Sequence, residues 1–119
     1  MKTQNIKVKL QVAFLKEGDS IIAYSPALDL SAYGTTKNEA QNAFETSFII
    51  FIEETLQSGT LLGELLRLGW ELKLQKFTPP KLSENDIKQK ISSSHFFKEL
   101  KEPKITTTSI KEVCMPSFA

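Results

Sequence analysis

Apolar and polar residues alternate at the start of the chain. Ile6, Val8, Leu10, Val12 and Phe14 are separated by polar or small residues, and this period of two predicts a half-buried strand. A turn containing Gly18 follows, and then a β-rich segment over 20–25, so the pattern predicts an antiparallel hairpin. Pro26 has no N–H to donate, so it ends or bulges the second strand. A short third strand is expected over 30–33.

Apolar residues then recur at helical spacing from about Lys37 to Gln57. One stripe contains Ala40, Ala43, Phe44, Ser47, Phe48, Phe51 and Thr55, which predicts a helix with one face on the sheet. Thr36 and Glu39 fit a capping box at its start, Gly34 suits the preceding turn, and Gly59 ends the helix. A second group, Ile49, Ile52 and Leu56, lies off this face and predicts cover by another segment or another protomer.

The pattern up to Pro80 completes a small domain. Residues 60–68 predict a short second helix, and alternation over 70–77 predicts a fourth strand that ends at Pro79-Pro80. After a helical crossover we expect this strand beside the first and parallel to it. The predicted fold class is α+β, a β-β-β-α-(short α)-β sheet with one long helix on a face, and the predicted domain spans residues 1–80.

Residues 81–119 form a C-terminal tail of different character, which we expect to pack on the core or on a second protomer. Ser83, Glu84 and Asp86 predict the start of a helix over 84–100, and residues 105–115 are β-rich and end at Pro116. A terminal strand without a partner would leave its backbone groups unpaired, so we expect it to extend a sheet edge, either its own or a neighbour's. The residues predicted to contact a partner or a second protomer are Ile49, Leu56, Ile105, Ile110, Val113, Met115 and Phe118.

Composition excludes several classes of function. The chain has 15 basic and 14 acidic residues, a net charge of +1, so it lacks the basic excess typical of duplex-binding domains. Its one cysteine, Cys114, cannot form an internal disulfide and is expected to act as a small apolar residue. No signal-peptide pattern is present, and the apolar run over 48–52 is too short to span a bilayer. We expect a cytoplasmic protein with no membrane association.

The residues that carry chemistry are sparse. The sole histidine, His95, has no cysteine or carboxylate at ligand spacing, and the five glycines form no phosphate-binding loop. The strand order is similar to that of the ribonuclease H fold, whose two-metal chemistry needs converging carboxylates. The first strand contains none, Glu39 is assigned to the cap, and Glu71 alternates away from the core. We therefore predict no catalytic residue, no metal and no cofactor.

Several aromatic and polar side chains on the strands have alternative interpretations. Trp70 and Tyr24 could stack on a nucleic-acid base, but aromatic residues on strands more often belong to the core or its rim. Lys7, Lys9 and Gln11 are expected to form a solvated strand face.

The segment 24–40 resembles the HicB family of antitoxins. The residues that carry the resemblance are Ser25-Pro26-Ala27-Leu28, Gly34-Thr35-Thr36 and Glu39-Ala40, with Gly18-Asp19-Ser20 at the preceding hairpin. The match covers about residues 6–76. The loop after Leu28 reads Asp29-Leu30-Ser31 where the family has Pro-Gly-Cys, and residues 60–68 lengthen the return to the last strand.

The resemblance implies a partial ribonuclease H-like fold without catalytic activity. Members of the family bind and silence a small RNA-cleaving toxin of the HicA type, and many repress their own operon through an added DNA-binding segment. Residues 81–119 show neither a helix-turn-helix nor a strand followed by two helices, so direct DNA binding is not predicted here. The resemblance favours an antitoxin that forms a homodimer or higher oligomer. The alternatives are a dimeric HicB-like scaffold without a toxin and, less favoured, a metal-dependent nuclease.

Overall fold

A computed structural model describes residues 5–73, 76–93 and 105–116 of the chain. It is an α+β fold in which a four-stranded antiparallel sheet carries a long helix on one face. The elements in chain order are β1 (Asn5–Glu17), β2 (Ser20–Ser25), β3 (Leu30–Gly34), α1 (Lys37–Ser58), α2 (Leu61–Arg67), β4 (Glu71–Lys73), β5 (Lys76–Thr78), α3 (Glu84–Ser93) and β6 (Ile105–Pro116). None of the helices in the described ranges is long and apolar enough to cross a membrane.

The first face of the sheet packs against α1, as the helical stripe predicts. Even-numbered residues of β1, from Val8 to Phe14, point to this face and meet Phe44 and Phe48 of the helix. A buried phenylalanine contributes about 1.5–3 kcal/mol. Helix α1 ends at Gly59, whose left-handed backbone (φ 71°) lets its N–H and that of Thr60 bond the last carbonyls. Helix α2 follows and buries Leu61 and Leu65 in the same core.

The prediction for the fourth strand is wrong. The segment expected beside β1 contains two short strands, β4 and β5, which pair with each other in a separate two-stranded sheet. The position beside β1 is occupied by β6, which runs antiparallel to it from the Asn5–Pro116 pair to the Leu15–Ile105 pair. A twelve-residue strand offers β1 many more ladder hydrogen bonds than a three-residue strand can. The sheet order is therefore β3-β2-β1-β6.

The second face of the sheet is also covered in part, by the start of the C-terminal tail; the sequence pattern does not specify which face the tail covers. Ala13, Leu15, Ile22 and Tyr24 form a second buried cluster with Ile87 of α3, and Leu82 packs against it. Helix α3 starts at a cap in which Ser83 and Asp86 exchange hydrogen bonds, with the Asp86 N–H donating to Ser83 Oγ at 3.2 Å and the Ser83 N–H donating to Asp86 Oδ2 at 3.1 Å. These bonds hold the pKa of Asp86 below its ordinary value. Residues 94–100 of the predicted helix, including His95, lie outside the described part of the chain.

Gln11 fixes the segment before α3 to the sheet, which corrects its prediction as a solvated residue. Its side-chain Nε2 donates to the carbonyl of Leu82 at 3.0 Å, and its Oε1 accepts from the N–H of Leu82 at 3.2 Å. The amide thus pairs with both backbone groups of one residue, as a neighbouring strand would. Lys7 and Lys9, on the same face, are exposed as predicted.

We expect the close approach of β3 and α1 to tolerate only glycine at position 34. A Cβ there would lie 2.7 Å from both the carbonyl carbon and the Cβ of Glu39, so Gly34→Ala should lower the free energy of unfolding by about 1–3 kcal/mol, a typical cost of overpacking. Gly63→Ala is the matched control, because a Cβ in the middle of α2 meets nothing within 4 Å and should stabilise the helix by up to about 1 kcal/mol. Urea unfolding of both variants tests this, and equal midpoints would contradict it.

We also expect Gln11→Ala to release the segment around Leu82. The change leaves the N–H and C=O of Leu82 without their partner, at a cost of about 1–3 kcal/mol. Amide hydrogen exchange should then become faster at Leu82 than in the unaltered chain. Lys9→Ala, on the same strand face, should change stability by less than about 0.5 kcal/mol, and unchanged exchange at Leu82 in the Gln11 variant would refute the docking role.

Candidate interaction surface

The residues at the β3–α1 junction are engaged in capping the helix. Thr36 Oγ1 accepts a hydrogen bond from the N–H of Glu39 at 3.1 Å, as the predicted capping box requires. The carboxylate of Glu39 reaches back to the preceding residue, where the hydroxyl of Thr35 and its N–H (2.9 Å) both donate to Oε2. The Thr35 hydroxyl, followed by its N–H, holds the pKa of Glu39 below the ordinary value of 4.5.

The loop after β2 is held by three long-range or turn-forming bonds. The indole N–H of buried Trp70 donates to the carbonyl of Ala27 at 2.8 Å, and Lys90 Nζ donates to the carbonyl of Pro26 at 3.2 Å. The hydroxyl of Tyr24 donates to Asp29 Oδ1 at 2.8 Å, and burial followed by this acceptor raises the pKa of the Tyr24 phenol. Asp29 itself has a left-handed backbone, with φ at 52°.

Six residues of the motif that carries the resemblance therefore have structural roles in the fold. Pro26, Leu28 and Ala40 are buried, Gly34 lies against the first turn of α1, and Thr36 and Glu39 cap that helix. Trp70 and Tyr24 are 3% and 2% exposed, so neither presents a ring on which a base could stack. A partner has to be sought on other residues.

Exposed apolar side chains are concentrated on the two helices that follow the junction. Of the seven large hydrophobic residues exposed in the described part of the chain, five lie on α1 and α2: Ile49, Ile50, Leu56, Leu62 and Leu66. Single exposed apolar residues are ordinary, but several on adjoining elements are typical of interaction sites.

The five residues divide into two groups by their direction on the helices. Ile49 and Leu56 lie on the same stripe of α1 as Glu45 and Ile52, because residues spaced by three, four or seven share a helix face. Glu45 forms an ion pair with Lys111 of β6, so this β6-side stripe (Glu45, Ile49, Ile52, Leu56) lies toward β6. Ile50 lies about 100° away from Ile49 around the helix, while Leu62 and Leu66 share the outer side of α2.

The structure places the predicted partner residues in three different situations. Ile49, Leu56 and Ile110 are exposed, at 54%, 43% and 62%. Val113 was expected at an interface, but it is 8% exposed and belongs to the core, because it pairs with Val8 on the face that α1 covers. Ile105 and Met115 pair with Leu15 and Ile6 through the β1–β6 ladder, and Phe118 lies outside the described residues.

Sequence reasoning missed three of the five exposed apolar residues on α1 and α2, namely Ile50, Leu62 and Leu66. Leu62 and Leu66 had a detectable signal, since the doublets Leu61-Leu62 and Leu65-Leu66 supply apolar residues to two sides of one short helix, and the core takes only Leu61 and Leu65. Ile50 stands within the apolar run 48–52 and gave no signal of its own.

The helices that carry these residues are acidic. Between positions 37 and 67 the chain has five glutamates, at 39, 45, 53, 54 and 64, against Lys37 and Arg67, a net charge of −3. Glu39 caps α1, Glu45 pairs with Lys111, and Glu64 pairs with Arg67 at 2.7 Å. Glu53 and Glu54 are exposed one turn after Ile50, so two carboxylates stand near this exposed apolar residue of α1. We call Ile50, Glu53, Glu54, Leu62 and Leu66 the acidic–apolar surface.

The described residues contain no group of three or more His, Cys, Asp or Glu side chains placed to hold a metal ion. Comparison of the chain with protein-family models, with curated proteins and with solved structures found no match.

The cap at α1 predicts a specific dependence of stability on pH. The folded state lowers the pKa of Glu39, so the ionised carboxylate contributes stability above its unfolded pKa and loses that contribution as the pH falls through the folded value. The stability difference between the unaltered chain and Glu39→Gln should therefore be present near neutral pH and disappear in acid. Glu53→Gln, on the same helix but outside the cap, is the control in urea unfolding across the pH range. A Glu39→Gln difference that does not vary with pH would contradict the role of the carboxylate.

Proposed function

We propose that the chain is a non-catalytic antitoxin similar to HicB proteins, which binds a small, basic, RNA-cleaving toxin of the HicA type on the acidic–apolar surface. The observation that carries the proposal is the concentration of exposed apolar side chains on α1 and α2, next to two exposed glutamates. The sequence resemblance over 24–40 supplies the class of partner.

The chemistry of this surface suits a protein that normally binds RNA. Such a protein presents lysines and arginines around the site that receives the phosphate backbone. Glu53 and Glu54 would attract that basic surface and raise the association rate. Ile50, Leu62 and Leu66 would supply the apolar contacts that slow dissociation. The toxin would then be inhibited because its RNA-binding face is covered.

The carboxylates support binding in preference to catalysis. Two-metal hydrolysis requires carboxylates that converge on one point. Glu39 is committed to the helix cap, and Glu71, the other candidate, lies at the start of the separate β4–β5 hairpin. A dimeric scaffold that binds no toxin is the second candidate, and the exposed position of Ile110 on the outer strand β6 favours it.

Charge reversal on the acidic–apolar surface should separate these candidates. The full chain, used as bait in a lysate of its native cell, should retain a small basic protein that mass spectrometry identifies. Glu53→Lys/Glu54→Lys should weaken this binding by about tenfold or more, because like charges then face each other across the contact. Leu62→Gln/Leu66→Gln should weaken it through lost apolar contact.

The matched control is Glu17→Lys/Asp19→Lys, which makes the same change in net charge at the exposed β1–β2 turn. This control should bind as well as the unaltered chain. Growth inhibition by the captured protein should be relieved by co-expression of the unaltered chain and not of the helix variants. Capture that is equal for all variants, or a captured protein that neither cleaves RNA nor inhibits growth, would refute the proposed function.

A further inference from the structure

The strand β6 forms one outer edge of the four-stranded sheet. It is twelve residues long and pairs along one side with β1. The other outer strand, β3, has only five residues and leads directly into α1. Proteins usually protect a long edge strand with prolines, bulges or charges, because its outward N–H and C=O groups can pair with another strand. On β6 the proline comes at the last position, and the register shift of the ladder lies near its first residues, opposite Phe14 and Leu15. The ammonium group of Lys111 is bound to Glu45 of α1, and the carboxylate of Glu112 lies 3.6 Å from the ammonium group of Lys7 on β1, so both charges are paired within the chain.

An exposed apolar side chain stands in the middle of this edge. Ile110 is 62% exposed, the most exposed of the large hydrophobic residues in the described part of the chain. It pairs with Gln11 in the β1–β6 ladder and so lies on the face opposite α1. On the α1 face, the β6-side stripe with Ile49 and Leu56 also lies toward this edge. Both faces of the sheet therefore present apolar residues beside β6.

We propose that β6 pairs antiparallel with β6 of a second copy of this chain, around a twofold axis at Ile110. The two four-stranded sheets then form one continuous sheet of eight strands. This inference does not depend on the proposed toxin binding. Ile50 and Glu54 lie on a different side of α1 from the β6-side stripe, Glu53 stands between the two sides, and Leu62 and Leu66 belong to α2. The β6-side stripes of the two copies face each other across the axis.

The charges on β6 and the exposed Ile110 together select this register. A twofold axis normal to the sheet keeps each face continuous, so it must pass through a residue position. An axis at Lys111 or at Glu112 would place like charges opposite each other, which is destabilising. An axis at Ile110 places Ile110 against Ile110, Ser109 against Lys111 and Thr108 against Glu112 of the other copy. An axis at Ser109 avoids like charges but leaves Ile110 opposite Thr108, with less apolar contact.

Sedimentation velocity and oxidative cross-linking of the full chain test this register. In a Cys114→Ser background, Ile110→Cys should form a disulfide-linked dimer, since directly opposed residues have Cβ atoms about 4.5–5.5 Å apart. Thr107→Cys is the control, because the same register separates its two copies by about 20 Å along the strands. A chain that stays monomeric up to millimolar concentration, or equal cross-linking of both variants, would overturn the proposal.

Charge substitutions at Thr108 give a second measurement that does not require a new cysteine. Thr108→Lys places a lysine opposite Glu112 twice in each dimer and should tighten the dimerisation constant by roughly threefold to tenfold. Thr108→Glu places like charges at the same points and should weaken it by a similar factor. Both variants alter one exposed side chain on β6. A dimer that responds equally to the two substitutions would refute the proposed pairing.

Discussion

The pairing and packing of β1 determine the rest of the structure. Over Ala13–Glu17 it pairs with β2 on one edge, and along nearly its whole length it pairs with β6 on the other. Its side chains alternate between two buried clusters, so that Phe14 contacts the α1 core and Leu15 contacts the α3 core. Over residues 12–15 both faces of β1 are buried, and such a segment fixes the register of its neighbours strongly, because a slip of one residue would exchange the two cores. The first and last strands of the described chain are thereby joined in one sheet, and α1 and α3 are assigned to opposite faces.

Local signals in the sequence were sufficient for the first half of the fold. The alternation in β1, the hairpin with β2, the capping box of Thr36 and Glu39, and the end of α1 at Gly59 each depend on residues a few positions apart, and the structure contains all of them. The order of the sheet depends on which of two distant segments, 70–77 or 105–115, lowers the free energy more when it pairs with β1. The alternation over 70–77 and the β-rich composition of 105–115 each predict a strand, but a pattern within one segment carries no information on which of them pairs with β1. The same limit explains Val113, whose burial follows from its pairing with Val8.

The side chains that join segments far apart in the sequence were the least predictable. Gln11 stands at a polar position of an alternating strand, where a solvated side chain is the ordinary expectation. Its amide instead pairs with the backbone of Leu82, 71 positions away in the chain. Trp70 likewise bonds the carbonyl of Ala27, 43 positions away. Both are polar groups satisfied by a distant backbone, and neither contact leaves a periodic signal. The exposure of Leu62 and Leu66 could be assigned only when it was known that Leu61 and Leu65 are the buried members of their doublets.

A sheet covered on one face by α1 and in part on the other by α3 leaves two kinds of surface for a partner, and the described part of this chain has one of each. The outer sides of α1 and α2 offer side chains, in which apolar groups and carboxylates select a partner by shape and charge. The outer edge of β6 offers backbone groups, which pair with almost any strand and gain selectivity only from register. The ion pair of Glu45 with Lys111 shows that the Ile49 stripe lies on the β6 side of α1, while Ile50 and Glu54 lie on another side of the helix. One copy of the chain can therefore pair with a second copy through β6 and still present Ile50, Leu62 and Leu66 to a different protein.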